Sequence, residues 1–530
     1  MTEPKRLLAL GIDAASPTLL REWAADGTLP NIARLMADGL VAELRGPDAF
    51  FVGSTWPSFS TGRNAAGHGI YWLEQLKSGT YRTAPLPPEA FGTCKTLWEY
   101  LSDAGRQVLV LDVPLSVLSP GLNGVQVVEW RTHDVLSGMA TTPPSLKARI
   151  LQRFGEHPGA APCDAPRRSL AEYLQFGNDL VRGATMRGQL TIETLAEHPW
   201  DFAIQVFNEA HCAGHQLWHF HDPAHPEFDP ATTKSPGDPV KNVYRAIDAA
   251  IGNILEHVDA GTTMVLFSLH GMSYWAGSSR LLPEMLTRLG MTVPPPRGKP
   301  AGALTVREWI LYLLRTPYHW IPESIRRPFY DARARFRRDI LDRGTDLQID
   351  PRRSRCFAID MGPLIGAIRL NLIGREPSGI LAPGQEADAF CAELTEMLLE
   401  FVDPTTGRQL VRRVLRTADL YQGERIDDLP DLVVEWDRER PIGSVNVGTG
   451  AGATIRGHSA RTGLIEVINE YARTGDHRIE GMLVARGPGI ASGQLGRVVS
   501  TLDLAPTLAA LLGSDMPDVD GMPIPELIGN

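Results

Sequence analysis

An α/β fold, with a mostly parallel sheet flanked by helices and with helical cap insertions, is predicted by three observations. Apolar runs alternate with amphipathic helical patterns through the first half of the chain, as in consecutive βαβ units. The runs are continuous, as in strands buried on both faces. A chain of 530 residues with 43% hydrophobic content can bury a core of that size. The predicted strands cover residues 7–12, 108–113, 125–129, 202–207 and 264–268, and the clearest helices cover 96–104 and 242–258.

Two of the predicted strands end near residues with ligand chemistry. The first ends at the carboxylate of Asp13, and the strand 264–268 is followed by His270. In open α/β sheets, ligands bind at the carboxyl ends of the parallel strands, so both residues are candidate metal ligands. The alternatives are that Asp13 caps a helix starting near Pro17 and that His270 is satisfied within the core.

The core is predicted to be divided along the chain. Residues 1–290 form its first part, within which 130–200 is the predicted cap element, and residues 356–530 complete the same domain. Between them, residues 291–355 form a helical insertion with a cluster of arginines. Its functional interpretations are a lid for an anionic substrate, a membrane-surface contact and a partner-binding helix, and the simpler one is a solvated surface.

Composition narrows the class of protein. The net charge of −10 and the pI near 5.8 argue against a general nucleic-acid binder. No stretch approaches the roughly 20 apolar residues of a transmembrane helix, and the N-terminal apolar run is too short for a signal peptide. The five cysteines are scattered and odd in number, which predicts reduced thiols and a cytoplasmic protein.

A hydroxyl group precedes a proline-started helix in Thr55-Trp56-Pro57-Ser58. Proline is favoured in the first turn of a helix, where the backbone N–H groups favour an anion. Thr55 is therefore a candidate nucleophile toward a phosphate or sulfate ester, and the neighbouring Ser54 is the alternative.

His211 and His215 follow the predicted strand 202–207, and their spacing places both on one face of a helix. Together with a third ligand, two such imidazoles can hold one zinc ion. His477, in Gly475-Asp476-His477, is a further candidate, although its local pattern carries little information. A histidine-rich surface helix is the alternative, because three further histidines crowd this region: His219, His221 and His225.

Six short motifs follow one another along the chain: Gly11-Ile12-Asp13, Thr61-Gly62 with His68-Gly69-Ile70, His215 to Trp218, Ser268 to Gly271, Gly475 to His477, and Leu502 to Thr507. Their order resembles the alkaline phosphatase superfamily, specifically its type I phosphodiesterase and nucleotide pyrophosphatase branch, with sulfatases and phosphoglycerate mutases as relatives. The resemblance covers nearly the whole chain and implies an alkaline phosphatase-like core. The order of the motifs is more specific than any one of them.

This resemblance implies a site for two divalent cations, in which a hydroxyl attacks phosphorus or sulfur. Asp13 matches the first carboxylate ligand and His270 matches the histidine of an Asp-His-Gly motif. His215 and His477 match ligands of the other cation, and His211 stands where relatives have an aspartate that also ligates.

The chain departs from the family pattern at three positions. Leu269 replaces the aspartate of Asp-His-Gly, so the cation site of Asp13 and His270 is expected to be weak or empty. Val52, which has no hydroxyl, stands where relatives place the nucleophile, ten residues before the glycine of Thr-Gly. A helix start three residues later would restore Thr55 to that place.

The third departure, His211 in place of aspartate, implies a neutral set of three histidines with His215 and His477. Such a set makes a good catalytic zinc site with an open fourth position. Glu209, two residues upstream, is a candidate additional carboxylate ligand or general base.

Two functions of different classes follow. The first is a metal-dependent phosphohydrolase, foremost a phosphodiesterase or nucleotide pyrophosphatase, that uses one or two zinc ions and a hydroxyl nucleophile on a small-molecule phosphate ester. The second is a non-catalytic relative that binds a phosphorylated or sulfated ligand. Four dispersed histidines that converge in the fold favour the first.

Overall fold

The structure is a computed structural model that describes residues 6–130, 134–159, 169–234, 237–274, 278–296, 345–362, 364–438, 454–468 and 473–528. Within these ranges, no helix combines the length and the apolar character that crossing a membrane requires. The described strands are β1 (Leu7–Ile12), β2 (Leu40–Arg45), β3 (Glu74–Leu76), β4 (Arg82–Pro85), β5 (Val108–Leu111), β6 (Gly124–Val128), β7 (Ala140–Thr142), β8 (Phe202–Phe207), β9 (Thr263–Ser268), β10 (Gly271–Tyr274), β11 (Thr345–Asp346), β12 (Cys356–Asp360), β13 (Ile365–Leu370), β14 (Val411–Arg416), β15 (Leu432–Trp436), β16 (Thr454–Ser459), β17 (Gly463–Ile468), β18 (Gly475–Arg478), β19 (Glu480–Arg486) and β20 (Gly493–Ser500).

The described helices are α1 (Pro17–Ala25), α2 (Pro30–Asp38), α3 (Thr55–Thr61), α4 (Ala65–His68), α5 (Leu97–Asp103), α6 (Ser145–Phe154), α7 (Leu170–Glu197), α8 (Glu209–Leu217), α9 (Pro230–Lys234), α10 (Pro239–Leu255), α11 (Leu282–Arg288), α12 (Gln385–Leu399), α13 (Thr417–Leu420), α14 (Leu504–Leu511) and α15 (Pro525–Ile528). Most of the longer helices cover the main sheet.

The main sheet has the strand order β20-β2-β19-β9-β1-β8-β5-β6-β7. Five neighbouring strands, β9-β1-β8-β5-β6, are parallel, while β19 and β7 run antiparallel to their neighbours. Their apolar runs are buried along nearly their whole length, because helices cover both faces. The predicted α/β fold with a mostly parallel sheet is confirmed.

Two apolar layers lie on opposite faces of the main sheet. On one face, α1, α2, α6, α7, α8 and α10 pack around buried side chains such as Trp23, Leu180 and Ile251. On the other face, α3, α5, α14 and α15 pack around Phe59, Trp98 and Leu508. The carboxyl ends of the parallel strands are left between these layers at one edge of the sheet.

A second, antiparallel sheet has the order β12-β13-β15-β14 and packs with α11, α12 and the hairpin β16–β17 around its own apolar cluster. Residues 356–530, which the sequence predicts as the remainder of the main core, therefore divide between two sheets. Of the described elements in this range, β19, β20, α14 and α15 rejoin the main sheet and its layers. The apolar run Leu432–Trp436 has the same pattern in either sheet, so periodicity alone could not assign it.

The predicted cap, residues 130–200, also differs from the structure in its second half. Helix α7 packs along α10 and α8 and buries Leu180 and Ala184 in the main core, so it is a core helix. A side chain at Gly188 would place its Cβ 2.8 Å from the Cβ of Ala250 on α10, so glycine allows this close packing. Most of the predicted insertion 291–355 falls on residues 297–344, outside the described residues.

The cysteines do not all match the prediction of reduced thiols. Cys94, Cys356 and Cys391 are free, but Cys212 on α8 is disulfide-bonded. Disulfides persist mainly in oxidising compartments. The predicted cytoplasmic location depended on reduced thiols, so this bond leaves that prediction without its supporting observation.

Candidate active site

Three adjacent parallel strands, β8, β1 and β9, end at the same edge of the main sheet. Asp13 follows β1, His270 follows β9, and α8 follows β8. The backbone N–H of Asp13 donates to the carbonyl of Phe207 at 2.9 Å, which continues the β1–β8 pairing by one residue. The parallel topology therefore brings Asp13 and His270 together beside α8, as the sequence predicts.

His211 and His215 lie one turn apart on α8, and His477 comes from β18, where it pairs with Met272 of β10. Two glycines let these elements approach closely. A Cβ on Gly214 would lie 2.5 Å from the Met272 side chain, and a Cβ on Gly475 would lie 2.3 Å from the Gly214 carbonyl oxygen. A larger residue at Gly475 would separate β18 from α8, and one at Gly214 would displace the Met272 side chain of β10.

The three imidazoles of His211, His215 and His477, here called the histidine cluster, are buried and converge. The Nε2 atom of His211 lies 2.9 Å from Nε2 of His215 and 3.2 Å from Nε2 of His477. Burial, reinforced by the neighbouring imidazoles, lowers the pKa of His477 well below its usual value. The cluster thus presents nitrogen atoms to one common point.

The opposite ring nitrogens of two cluster members have acceptor partners. His215 Nδ1 lies 2.8 Å from the carbonyl oxygen of Gly475, and His211 Nδ1 lies 2.9 Å from Oδ2 of Asp13. Because the Gly475 oxygen accepts, Nδ1 of His215 carries the proton and its Nε2 carries a lone pair. A proton on His211 Nδ1, which faces the Asp13 carboxylate, would likewise leave a lone pair on its Nε2. Two lone pairs 2.9 Å apart would repel, and a positively charged or proton-bearing group between them would relieve that repulsion.

Asp13 has a second partner besides His211. Its Oδ1 accepts a hydrogen bond of 3.0 Å from the indole N–H of Trp56, and His270 Nε2 lies 3.8 Å from the same oxygen. Burial raises the pKa of Asp13, but His211, His270 and Trp56 outweigh it and lower that pKa to about 2. Burial lowers the pKa of His270 to about 4 against the opposing charge of Asp13, so the imidazole is neutral.

A cavity of about 180 Å³ lies against Asp13, His211, His270 and His477. Its remaining wall includes the apolar residues Val52, Trp56, Trp72, Leu73, Pro114 and Leu115, with Gly53, Asp134 and Arg473. The Arg473 guanidinium contacts Oδ1 of Asp476 at 3.4 Å and supplies positive charge at this wall. The wall therefore carries both signs of charge, because the carboxylates of Asp13 and Asp134 also line it.

The two predicted hydroxyl nucleophiles are not in this wall. Thr55 is fully buried, and its hydroxyl donates to the carbonyl of Phe51, one turn earlier. Ser54 is also fully buried, with its hydroxyl 3.0 Å from that of Ser58 and 3.3 Å from Nε2 of His68. Of this segment, Val52, Gly53 and Trp56 reach the cavity.

Glu209, the predicted general base, lies in a separate cluster. Its Oε1 accepts from Arg187 Nε at 3.0 Å and contacts His157 Nε2 at 2.9 Å, and Arg187 Nη1 donates to Asp112. We call these four buried residues the arginine network. Burial raises the pKa of Glu209, but Arg187 and His157 outweigh it and lower that pKa to about 2. Glu209 is not among the described residues that line the cavity.

Leu269 lies in the apolar layer on the α3 side of the sheet and is fully buried. It brings no ligand atom to Asp13 and His270. Sequence reasoning did not single out Trp56, Trp72, Asp134 or Arg473 as parts of the site. Trp56 could have been identified from the sequence, because it belongs to the Thr55–Ser58 motif. Asp134 and Arg473 lie in segments without a recognisable pattern.

Comparisons with known proteins add two kinds of similarity. A family model described as type I phosphodiesterase / nucleotide pyrophosphatase matches residues 7–283. That range contains Asp13, His211, His215 and His270 and ends before His477. No curated protein sequence matches the chain.

Two solved structures align along nearly the whole chain and share little sequence with it. Murine ectonucleotide pyrophosphatase/phosphodiesterase 5, in an inactive form in complex with AMP, aligns with a TM-score of 0.48 and 10% identity over 98% of this chain and 97% of that chain. Phosphonoacetate hydrolase from Sinorhizobium meliloti 1021, in complex with phosphonoacetate, aligns with a TM-score of 0.49 and 13% identity over 95% of this chain and 94% of that chain.

Proposed function

Because the chain belongs to the type I phosphodiesterase/nucleotide pyrophosphatase family, we propose that it hydrolyses small phosphodiesters with one divalent cation, zinc, held by the histidine cluster. The family supplies the reaction class. The convergence of the histidine cluster is the observation that supports metal dependence. A single ion is proposed because Asp13 and His270 form an incomplete second site, to which Leu269 contributes no ligand.

The histidine cluster fits a zinc ion in both distance and chemistry. Zn–N bonds of about 2.0–2.1 Å at a tetrahedral angle place their nitrogens roughly 3.3 Å apart. The cluster has 2.9 and 3.2 Å between its Nε2 atoms. Metal-binding histidines generally have a carboxylate or a carbonyl beside their other ring nitrogen. The Nδ1 atoms of His211 and His215 lie 2.9 Å from Asp13 and 2.8 Å from the Gly475 carbonyl oxygen.

His211, His215 and His477 would hold the zinc ion, which would supply a Lewis acid able to lower the pKa of water. The protein's own residues perform the remaining tasks. Asp13 fixes the His211 ring, and the Trp56 N–H holds Asp13 in turn. Arg473 brings positive charge to the wall that would face a phosphoryl group, and the apolar side chains around it exclude bulk water.

One ion is proposed because the remaining family ligands do not form an equivalent set. Asp13 already contacts Trp56 and His211, and His270 is the single further candidate that adjoins it among the described residues. Leu269 contributes no carboxylate. A divalent cation held by one neutral imidazole and a shared carboxylate would bind weakly, because affinity depends on how many oxygen and nitrogen ligands the protein provides.

The test combines metal analysis with an assay on bis(4-nitrophenyl) phosphate. We expect one zinc ion per chain, loss of hydrolysis after chelation and recovery after zinc is returned. 4-Nitrophenyl phosphate and 4-nitrophenyl sulfate, assayed beside it, separate the diesterase from monoesterase and sulfatase activities. Two tightly bound ions per chain would contradict the single-ion assignment.

A second function is favoured by a specific observation: Val52 and Leu269 stand where the family resemblance places a nucleophile and a metal ligand. The alternative is a protein that binds a phosphorylated or sulfated ligand without turnover. Zinc-loaded protein that hydrolyses none of the three substrates, yet is stabilised against heat by inorganic phosphate or sulfate, would support this alternative.

A further inference from the structure

We infer that hydrolysis at this site proceeds by direct attack of water on phosphorus, without a phosphorylated enzyme, and this inference rests on the proposed function. A covalent mechanism needs a nucleophilic side chain in contact with the phosphoryl group. None of the described residues that line the cavity is Ser, Thr, Cys, Tyr or Lys. On the α3 side, where relatives would present a hydroxyl, the wall consists of Val52, Gly53 and Trp56.

Thr55, which adjoins the wall residue Trp56 in the chain, is not among the described residues that line the cavity. Its hydroxyl donates to the Phe51 carbonyl within the fully buried first turn of α3. The acceptor of this hydroxyl proton is a peptide carbonyl, which is too weak a base to remove the proton during attack. Thr55 is therefore a structural residue of the helix start.

Ser54 has a histidine neighbour, as an activated serine would, but the proton is on the wrong nitrogen. His68 Nδ1 accepts the backbone N–H of Ile70 at 3.0 Å, so the ring proton is on Nε2. That nitrogen is the one that contacts Ser54 and Ser58, at 3.3 and 3.0 Å. His68 thus donates to the serine hydroxyls and is not a base toward them.

The backbone prevents a change of register that would bring either hydroxyl to the cavity. A Cβ on Gly53 would lie 2.2 Å from the carbonyl oxygen of Tyr71 and 2.8 Å from Cα of Trp72, so the chain is pressed against that segment. The Ser54 N–H donates to the Phe50 carbonyl at 3.0 Å. If the chain moved by three residues so that Thr55 took the place of Val52, Trp56 would take the place of Gly53. Its side chain would not fit there.

The reaction is balanced without an enzyme-bound intermediate. The oxygen of water forms a bond to phosphorus, and the bond from phosphorus to one ester oxygen breaks. The attacking water gives up one proton to solvent, and the departing alkoxide takes up one proton from solvent. The products are a phosphate monoester and an alcohol.

The decisive experiment is the stereochemical course of the reaction. An aryl phosphorothioate diester of defined configuration, hydrolysed by the zinc-loaded protein in ¹⁸O-labelled water, is expected to give product with inverted configuration at phosphorus. A mechanism with a covalent intermediate has two displacements and gives retention. Retention would overturn this inference and leave the proposed function intact, whereas no turnover of any diester would overturn both.

An independent measurement is the intact mass of the protein quenched in acid during turnover of bis(4-nitrophenyl) phosphate. We expect no added 4-nitrophenyl phosphoryl group. An adduct on any side chain, including the carboxylate of Asp134 in the cavity wall, would overturn the inference.

Two variants complete the test. Thr55→Val keeps the shape of the side chain and removes its hydroxyl, and Ser54→Ala removes the other hydroxyl. We expect kcat for the diester to remain within about threefold of the unmodified protein in both, because an essential nucleophile typically costs several orders of magnitude when removed. Thr55→Ser, which retains the hydroxyl, controls for packing. A loss of more than 100-fold in Thr55→Val with full activity in Thr55→Ser would restore the covalent mechanism.

Discussion

The histidine cluster and the arginine network are two buried polar clusters that share the first turn of α8. Glu209 belongs to the arginine network, and His211, two residues later, belongs to the histidine cluster. Both clusters are shielded from solvent. They differ in how their polar atoms are arranged.

In the arginine network, donors meet acceptors. Arg187 donates to both Glu209 and Asp112, and His157 adds a further contact to Glu209. In the histidine cluster, nitrogen atoms of three imidazoles meet one another, and Gly475 and Asp13 lie beside the outer nitrogens of His215 and His211. Burial alone therefore does not identify a functional site. The proposed metal site depends instead on the convergence of nitrogen atoms, which could bind a ligand of opposite character.

The largest effect is expected from breaking the arginine network. Arg187→Met removes the guanidinium and leaves two carboxylates buried without their cation, which should lower the free energy of unfolding by about 3–5 kcal/mol. Urea unfolding measures this change. Arg182→Met on the same helix is the matched control, because the Arg182 side chain is 58% exposed and its ion pair with Asp179 should contribute less than about 1 kcal/mol. Equal losses in the two variants would contradict the assignment of a buried network.

His477→Ala should greatly weaken metal binding and hardly change the stability of the metal-free chain. Arg187→Met, by contrast, is expected to act on stability. A three-ligand zinc site cannot spare one imidazole, so the affinity should fall by more than the roughly 100-fold that loss of an outer partner costs. Zinc titration against a chromogenic chelator measures it. His257→Ala, at an exposed position near the end of α10, is the control and should leave zinc affinity unchanged. Full zinc retention in His477→Ala would exclude the cluster as the metal site.

Asp13→Asn sharpens the comparison, because it changes a residue that supports the histidine cluster from outside. If Asp13 orients His211, the variant should still bind one zinc ion per chain, about 10–100-fold more weakly. If Asp13 directly binds a second cation, the stoichiometry should fall from two ions to one. Elemental analysis at saturating zinc, with the exposed Asp26→Asn as control, separates these outcomes.

Gly183→Ala should give the smallest effect. A Cβ at this position on α7 would lie 2.3 Å from the ring of His157 and would push it away from Glu209. We expect a loss of about 1–3 kcal/mol in the free energy of unfolding from overpacking. Gly177→Ala on the same helix meets its nearest neighbour, Pro239, at 3.3 Å and should be close to neutral. A neutral Gly183→Ala would show that His157 adjusts without weakening the network.

The residues at the carboxyl ends of the parallel strands could be predicted from the sequence, because their positions depend on local patterns. Continuous apolar runs identified β1, β8 and β9, and parallel topology then places Asp13 and His270 at one edge. His211 and His215 followed from helical spacing. The site beyond this edge depends on contacts between distant segments, which periodicity does not encode.

The direction of the Thr55 hydroxyl is an example of such a contact. It is set by the segment before α3, which is held where Gly53 packs against Tyr71 and Trp72, and a motif of four residues does not reveal that packing. Likewise, the pairing of Glu209 with Arg187 requires α7 to lie in the core, whereas the sequence pattern suggested a cap. The second sheet was missed because its apolar strands have the same composition as those of the first.

The distance along the chain between members of the histidine cluster has a consequence for folding. His211 and His477 are 266 residues apart, so one ion would act as a reversible cross-link between the N-terminal half of the main sheet and the ribbon formed by β10 and β18. Closing a loop of that length is entropically costly in the unfolded chain and is already complete in the folded one. At free zinc about 1,000 times the dissociation constant, binding adds about 4.1 kcal/mol to the free energy of unfolding. Zinc supply would then govern how much folded protein a cell maintains as well as how fast that protein works.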